Sequence, residues 1–231
     1  MTNSSRKSFN SAGTALNKLF PLTIETPRLI IREITSGDKN SFRSIINHPG
    51  FYYYCFDGTE EKLDNFIKLS QKTQKINPLK NLRDDFMLAV VLKDTKELIG
   101  HAALLNITEY KLPIQGIDYE AAYFIDVNQR GKGYGPEALI NMMHYGFCQL
   151  DLPGYGSMQE LDNLTAINLA EKVLGFKKVD ECMGATTQGI KKHQVCIVTP
   201  DDFYTLRKKD KRPYILPHLM PENLNTMKPV M

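Results

Sequence analysis

Between about residues 24 and 200 the apolar positions switch repeatedly between a two-residue and a helical period, and each switch marks an element. Leu29, Ile30 and Ile31, flanked by Arg28 and Arg32, predict a first strand over 24–32. Phe42, Ile45 and Ile46 then recur at helical spacing. Ser36 or Asp38 can cap that helix, and His48-Pro49-Gly50 ends it. Thr59-Glu60-Glu61 opens a second helix through Leu63, Phe66, Ile67 and Leu69, with Asn77-Pro78 as its stop. The two helices are separated by Phe51-Tyr52-Tyr53-Tyr54-Cys55-Phe56, an aromatic run that suits either a packed hydrophobic corner or a substrate wall.

Phe86–Leu92 and Leu98–Ile107 predict a hairpin about the polar turn Lys93–Glu97. Residues 110–116 lead to Tyr119–Val127, which is rich in aromatic and β-branched side chains, as a buried strand should be. Gly131, Gly133 and Gly135 follow, where the backbone is expected to take positive φ with no Cβ in the way of a ligand. Leu139, Met142, Met143, Gly146 and Phe147 then repeat at helical spacing. After the turn 151–154, Tyr155–Leu161 predicts another strand, and Asp162-Asn163 caps a helix through Ile167, Ala170, Val173 and Leu174. Gly175-Phe176 closes that helix, and Phe176–Met183 with His193–Val198 predicts a final hairpin.

These elements imply one domain over residues 23–205, preceded by a flexible arm (1–22) and followed by a basic, then proline-rich tail (206–231). A short apolar stretch in the arm, Leu16, Leu19 and Phe20, could dock. A net charge of +3 on 231 residues gives no reason to expect a nucleic-acid partner. The run Arg207–Arg212 could tether a ribosome or nucleic acid, but it lacks the interleaved aromatics that single-strand binding needs. Cys55, Cys148, Cys182 and Cys196 are widely spaced, with no histidine at ligand spacing, so free thiols and no metal are expected. No apolar run is long enough for a membrane span, and the N-terminus lacks a signal-peptide core, so the expectation is cytoplasmic. Both a monomer and a homodimer are compatible with this reading.

The chemistry concentrates between Tyr119 and Phe147. A strand that turns through glycines onto a helix N-terminus presents several unpaired N–H groups to one point, where a phosphate can sit. Pro136 suits the first helical turn, and Glu137 beside it complements the positive end of the dipole. A dinucleotide fingerprint needs G-x-G-x-x-G, and a Walker loop needs Gly-Lys followed by Ser or Thr. The spacing Arg130, Gly131, Lys132, Gly133, Gly135 fits neither.

Arg130, Gly133 and Gly135 do fit Arg-x-x-Gly-x-Gly, which resembles the pyrophosphate motif of the GCN5-related N-acetyltransferases (GNAT). Glu120, Tyr123-Phe124, Gly131, Gly133, Glu137 and Ala138 together look like its version in the RimJ/RimL-like branch, the ribosomal-protein alanine N-acetyltransferases. A second match lies in Thr26, Arg28, Leu29, Ile31 and Arg32, and a third in Asn163–Phe176, where this chain carries one extra residue before Gly175-Phe176. The resemblance covers roughly residues 24–200. It implies an α/β (α+β) fold, with a mixed, mostly antiparallel sheet of about six to seven strands, splayed between the fourth and fifth, and about four flanking helices.

The same resemblance implies acetyl-coenzyme A as donor and a primary amine, either a protein N-terminus or a small molecule, as acceptor. Gly131, Gly133, Tyr134 and Gly135 would hold the pyrophosphate, with Arg130 and Lys132 near the outer phosphate. The pantetheine arm would pair with backbone from Ile125 to Val127 and bond Asn163. Acyl transfer needs the amine to lose a proton, and Glu120, in the family's glutamate place, is the expected base. Relatives that carry a general acid place a Tyr or a Ser where this chain has Ala170 and Ala166, so the acid is missing. Tyr155, Cys182 and His193 remain candidates, a thiol leaving group can also depart without one, and a coenzyme A-binding module without turnover is the competing reading.

Overall fold

Strands that must be covered on both faces read as unbroken apolar runs, and two such runs form the centre of the sheet. The structure, a computed structural model, describes residues 21–52, 58–77, 83–107, 116–210 and Arg212. The strands are β1 (Thr23–Glu25), β2 (Leu29–Glu33), β3 (Phe86–Leu92), β4 (Leu98–Asn106), β5 (Tyr119–Ile125), β6 (Tyr155–Glu160), β7 (Lys177–Thr186) and β8 (Gly189–Val198). They form one sheet in the order β1-β2-β3-β4-β5-β6-β8-β7. Every neighbouring pair is antiparallel except β5 with β6. All of β3 is buried, and β4 is buried as far as Leu104.

Five helices cover the two faces among the described residues: α1 (Lys39–Ile46), α2 (Glu60–Lys72), α3 (Tyr134–Gln149), α4 (Leu164–Asn168, continuing as a π-helical segment Leu169–Leu174) and α5 (Pro200–Arg207). One face packs Leu139, Met142, Ala170 and Phe203 against Tyr119, Ala121 and Ile125. The other packs Phe42, Ile45, Leu63 and Ile67 of α1 and α2 against Phe124 and Ala103. None of the described helices is long and apolar enough to cross a membrane.

Among the described residues eight strands replace the expected six to seven, so the splay lies between the fifth and sixth. The apolar run read as one strand over 24–32 is two, because the chain reverses at Thr26–Leu29, where the Thr26 amide donates to the Leu29 carbonyl at 2.9 Å. Thr59 caps α2 as expected, accepting from the Lys62 amide at 3.3 Å. Neither Ser36 nor Asp38 caps α1 through its side chain. The Asp38 carboxylate instead takes a two-pronged bond from Arg32, 2.8 Å at each oxygen, and the Thr35 amide at 2.7 Å. The strand expected to reach Val127 stops at Ile125, since the Asp126 side chain caps a short turn over Val127–Gln129.

The extra residue in the third motif is absorbed inside a helix. Inserting one residue widens a turn from α to π, and here the wide segment ends at Gly175, whose φ of +88° is open to glycine at little cost. The Val173 carbonyl at its end receives the Arg207 guanidinium. Arg207 is fully buried in α5, and its guanidinium also pairs with Asp210 at 3.4 Å, so the basic stretch expected as tail from residue 206 begins inside the fold. Residues 211 and 213–231 of that stretch, like residues 1–20 of the arm, lie outside the described residues, although Leu22 at the end of the arm is buried and donates to Glu33.

Glu137 stands in the first turn of α3, as its expected role toward the helix dipole requires, and the structure buries it completely. Its carboxylate accepts from the Thr26 hydroxyl at 2.5 Å, the Arg28 amide at 2.9 Å and the Arg28 Nε at 2.7 Å. One side chain therefore bolts the start of α3 to the β1–β2 turn. Glu137→Ala would leave these donors without their acceptor and is expected to cost on the order of 3 kcal/mol, read as a lower urea midpoint with an unchanged slope. Thr26→Val, which removes one of the three, should cost about 1 kcal/mol; equal losses for the two variants would show that Glu137 is not the centre of the joint.

Candidate active site

Two parallel strands that stop pairing leave a gap with unpaired backbone on both walls. β5 and β6 share a single rung, Glu120 with Gly156, and then part. The gap opens into a cleft of about 760 Å³ that runs from this apex to the glycine loop before α3.

At the loop end, Gly131 and Gly133 take φ of +77° and +81°, and a Cβ added to Gly131 would meet only open space. The first amides of α3 have no intrahelical acceptor and face the same region, an arrangement that fits an anion. Gly135 is there for a different reason from the expected one. Its φ is not positive, but a Cβ would lie 2.5 Å from Cε2 of Tyr123, so its absence lets that ring pack on the first turn of α3. Arg28 holds the loop from behind, with its guanidinium carbon 4.6 Å from the centre of the Tyr134 ring and Nη1 donating to the Lys132 carbonyl at 2.9 Å.

Of the ten residues expected at the site, Glu120, Ile125, Arg130, Gly131, Gly133, Tyr134, Gly135 and Asn163 line the cleft. Val127 and Lys132 do not. Val127 lies in the turn past the strand, and the Lys132 ammonium is turned to Gln129 Oε1 at 2.7 Å. Arg130 Nε donates to the Ile125 carbonyl at 3.1 Å, so one backbone group expected to meet a ligand already has a partner. Asn163 serves two ends, since its side chain accepts from the Ala166 amide at 3.1 Å while facing the cleft.

At the apex Glu120 is 6% exposed, and burial pushes its carboxyl up to about 7, against a hydrogen bond from the Met158 amide that acts the other way. Beyond it, Glu160 accepts from the Tyr52 hydroxyl and pairs with the Lys191 ammonium at 2.7 Å, which also lies 5.6 Å from the centre of the Tyr52 ring. The aromatic run divides its work between neighbours: Phe51 packs on Phe124 with centroids 5.4 Å apart, and Tyr52 turns to the cleft. Residues 53–56 lie outside the described residues.

The acid candidates sort cleanly. Ala166 and Ala170 line the cleft and offer only methyl groups. Tyr155 is fully buried with its hydroxyl on the Met143 carbonyl at 3.0 Å, and Cys182 sits 3.7 Å from the Met158 sulfur; neither reaches the cleft wall. His193 does, with Nδ1 3.1 Å from the Lys191 carbonyl. Ser157, Gln159 and Glu160 also line the cleft and were not singled out from sequence, although polar side chains alternating along a buried strand were a signal to follow.

The comparisons bear on what this cleft belongs to. A sequence profile described as an acetyltransferase (GNAT) domain matches residues 28–177. The chain is 26% identical over 159 residues to the uncharacterised N-acetyltransferase p20 of Bacillus licheniformis, covering 68% of this chain and 83% of that one. It is 27% identical over 153 residues to the uncharacterised N-acetyltransferase YnaD of Bacillus subtilis, covering 65% and 80%. Similar solved structures include a GNAT-family acetyltransferase from Bacillus anthracis (TM-score 0.61, 19% identity, 78% of this chain and 99% of that one). A Vibrio cholerae protein assigned as a ribosomal-protein-serine acetyltransferase is similar too (TM-score 0.59, 21% identity, 78% and 98%). So is a spermidine N-acetyltransferase SpeG variant from Vibrio cholerae (TM-score 0.58, 19% identity, 76% and 95%). With the profile spanning well over half of the chain, from Arg28 at the back of the glycine loop to the strand after the π-helical segment, the protein belongs to the GNAT acetyltransferase family, the acyl-CoA-dependent N-acyltransferases.

Proposed function

We propose that this chain moves an acetyl group from acetyl-coenzyme A to a primary amine by direct attack, with Glu120 as general base, in the manner of the RimJ/RimL-like branch. The observation that carries the reading is a buried carboxyl near pKa 7 at the apex of the β5–β6 gap, in the same cleft as an open glycine loop. Gly131, Gly133, Tyr134 and Gly135 would hold the pyrophosphate through loop and helix amides, and Asn163 and the inner edge of β5 up to Ile125 would orient the arm. Arg130 would meet the outer phosphate. Val127 and Lys132, off the cleft wall, have no part in this assignment.

Glu120 is suited to the proton transfer because its environment, not its residue type, sets its basicity. An α-amino group near 8 or a lysine near 10.4 is mostly protonated at neutral pH, and a carboxylate of ordinary pKa takes such a proton poorly. A carboxyl brought to about 7 is half ionised at neutrality and a stronger base when ionised. The names of two structural relatives, one a ribosomal-protein-serine and one a spermidine acetyltransferase, support testing both protein N-termini and small amines as acceptors. An amine panel scored by coenzyme A release identifies which is used.

Glu120→Gln should lower kcat by roughly 10²–10⁴-fold at neutral pH, measured by thiol release. Below about 7 the parent's kcat/KM should fall more steeply than the variant's by about tenfold per pH unit, since ionisation of the amine is common to both; equal slopes would assign the extra limb to another group. The same substitution has a thermodynamic signature of known sign. Because burial raises this carboxyl from 4.5 to about 7, its contribution to stability is full below 4.5 and is lost as pH rises through about 7. Glu120→Gln is therefore expected to melt higher than the parent above pH 7, by at most about 3 kcal/mol, with the difference vanishing near pH 4.

Coenzyme A at a hundred times its dissociation constant should stabilise the parent by about 2.7 kcal/mol in a thermal melt, and ATP or NAD at the same concentration by much less. Gly133→Val should abolish the shift in a folded protein, because it forces a branched residue into φ of +81° where the loop turns to the helix. Undiminished coenzyme A binding by that variant would reduce the loop to a turn.

A further inference from the structure

Ser157 is the first residue of β6 past the rung that β6 shares with β5, and it lines the cleft. Its hydroxyl is held by a chain of buried amides that starts on α4. Gln194 Nε2 lies 3.5 Å from Glu171 Oε1 and donates to Gln159 Oε1 at 3.1 Å, and Gln159 Nε2 donates to Ser157 Oγ at 2.6 Å. An ionised carboxylate only accepts, so Glu171 decides which way the Gln194 amide faces. That choice turns the Gln159 oxygen to Gln194 and its NH₂ to the serine. Ser157 therefore accepts along the chain and has its own proton to give, and no acceptor among the described residues takes it.

The faces of the sheet place this donor opposite Glu120. Side chains two apart on a strand share a face. Ser157 shares one with Tyr155, which packs among Leu139, Ala170 and Cys196 on the α3–α4 side. Glu120 shares the other with Phe124, which packs on Phe42 and Phe66 of α1 and α2. A carboxylate and a hydroxyl thus reach the apex of one gap from its two sides, and α4 adds Thr165, Ala166, Leu169 and Ala170 to the wall on the serine's side.

We propose that the Ser157 hydroxyl donates a hydrogen bond to the departing sulfur of the acyl donor, with the Glu171–Gln194–Gln159 chain as the device that aims it; the assignment rests on the acetyl-coenzyme A reading above. As the acceptor nitrogen bonds to the carbonyl carbon, Glu120 takes the nitrogen's proton, the carbon–sulfur bond breaks and its electron pair stays on sulfur. A thiolate with a pKa near 8.5 is far too weak a base to take the proton of an aliphatic alcohol. Ser157 keeps its proton, stabilises the thiolate by the hydrogen bond alone, and solvent protonates the released coenzyme A.

Such a bond to a charged partner changes both a rate and an equilibrium. Ser157→Ala should lower kcat by about 10–100-fold with the KM for acetyl-coenzyme A within about twofold, and Ser157→Thr, which keeps the hydroxyl, should recover most of the loss. Independently of turnover, the thiol of coenzyme A bound to the full chain, titrated by the ultraviolet absorbance of its thiolate, should ionise at a pH about one to two units lower in the parent than in Ser157→Ala. A thiol pKa unmoved by Ser157→Ala overturns the assignment, whatever kcat does, while leaving the acetyltransferase reading intact. A parent that binds no coenzyme A overturns both.

Discussion

A carboxylate taken wholly out of water must have its charge met by donors, and Glu137 meets that demand by joining two segments of chain more than a hundred residues apart. Its partners Thr26 and Arg28 belong to the opening turn of the sheet, and its own helix begins at the glycine loop. The position of that loop is therefore set from β2, not by the loop's own flexible residues. Arg28 extends the joint, because the guanidinium that pairs with Glu137 also holds the Lys132 carbonyl and lies over Tyr134. A loop of glycines has little stiffness of its own; here it is rigid because the elements on either side of it are fastened together.

The cleft follows from a second constraint. Once β5 and β6 stop pairing after one rung, their facing edges carry backbone groups that the sheet does not satisfy. An extended ligand with amides of its own can complete such edges, whereas a compact one cannot. The parting also decides the chemistry at the apex. Glu120 in the last rung and Ser157 just past it lie beside the same space but belong to opposite faces, so a buried carboxyl and an oriented hydroxyl reach it without touching each other.

Much of this was legible in the residues. The glycine spacing with Glu120 upstream identified the loop, the strand and the candidate base, since local turns, caps and short motifs depend on neighbours in sequence. What could not be read depends on neighbours in space. Glu137 is readable only as a helix-dipole partner, because nothing local says that Thr26 and Arg28 will arrive beside it. Gly135 looked like a conformational glycine, and its real constraint is the Tyr123 ring. Helix α5 was readable and overlooked: Thr199 caps it, Pro200 opens it and two aspartates fill its first turn. Ser157 and Gln159 carried a signal, two polar side chains on one face of a buried strand, but what they bond depends on Gln194 of β8 and Glu171 arriving beside them.

The π-helical segment before Gly175 ties two helices to one another as well as shaping the cleft. An added residue in a packed helix normally has to be expelled into a loop, because turning every later side chain by about 100° would scramble the core. Here the extra residue falls in the wide segment. Ala166 before the segment and Leu169, Ala170 and Leu174 within it line the cleft, and Phe176 after it reaches the core, because the misfit is confined to one widened stretch. The carbonyl of Val173 at the end of that stretch is met by Arg207 from a helix beyond the matched profile. The widened segment and α5 therefore stand or fall together: a change that withdrew the Arg207 guanidinium would leave the Val173 carbonyl short of a donor at the point where the helix must close.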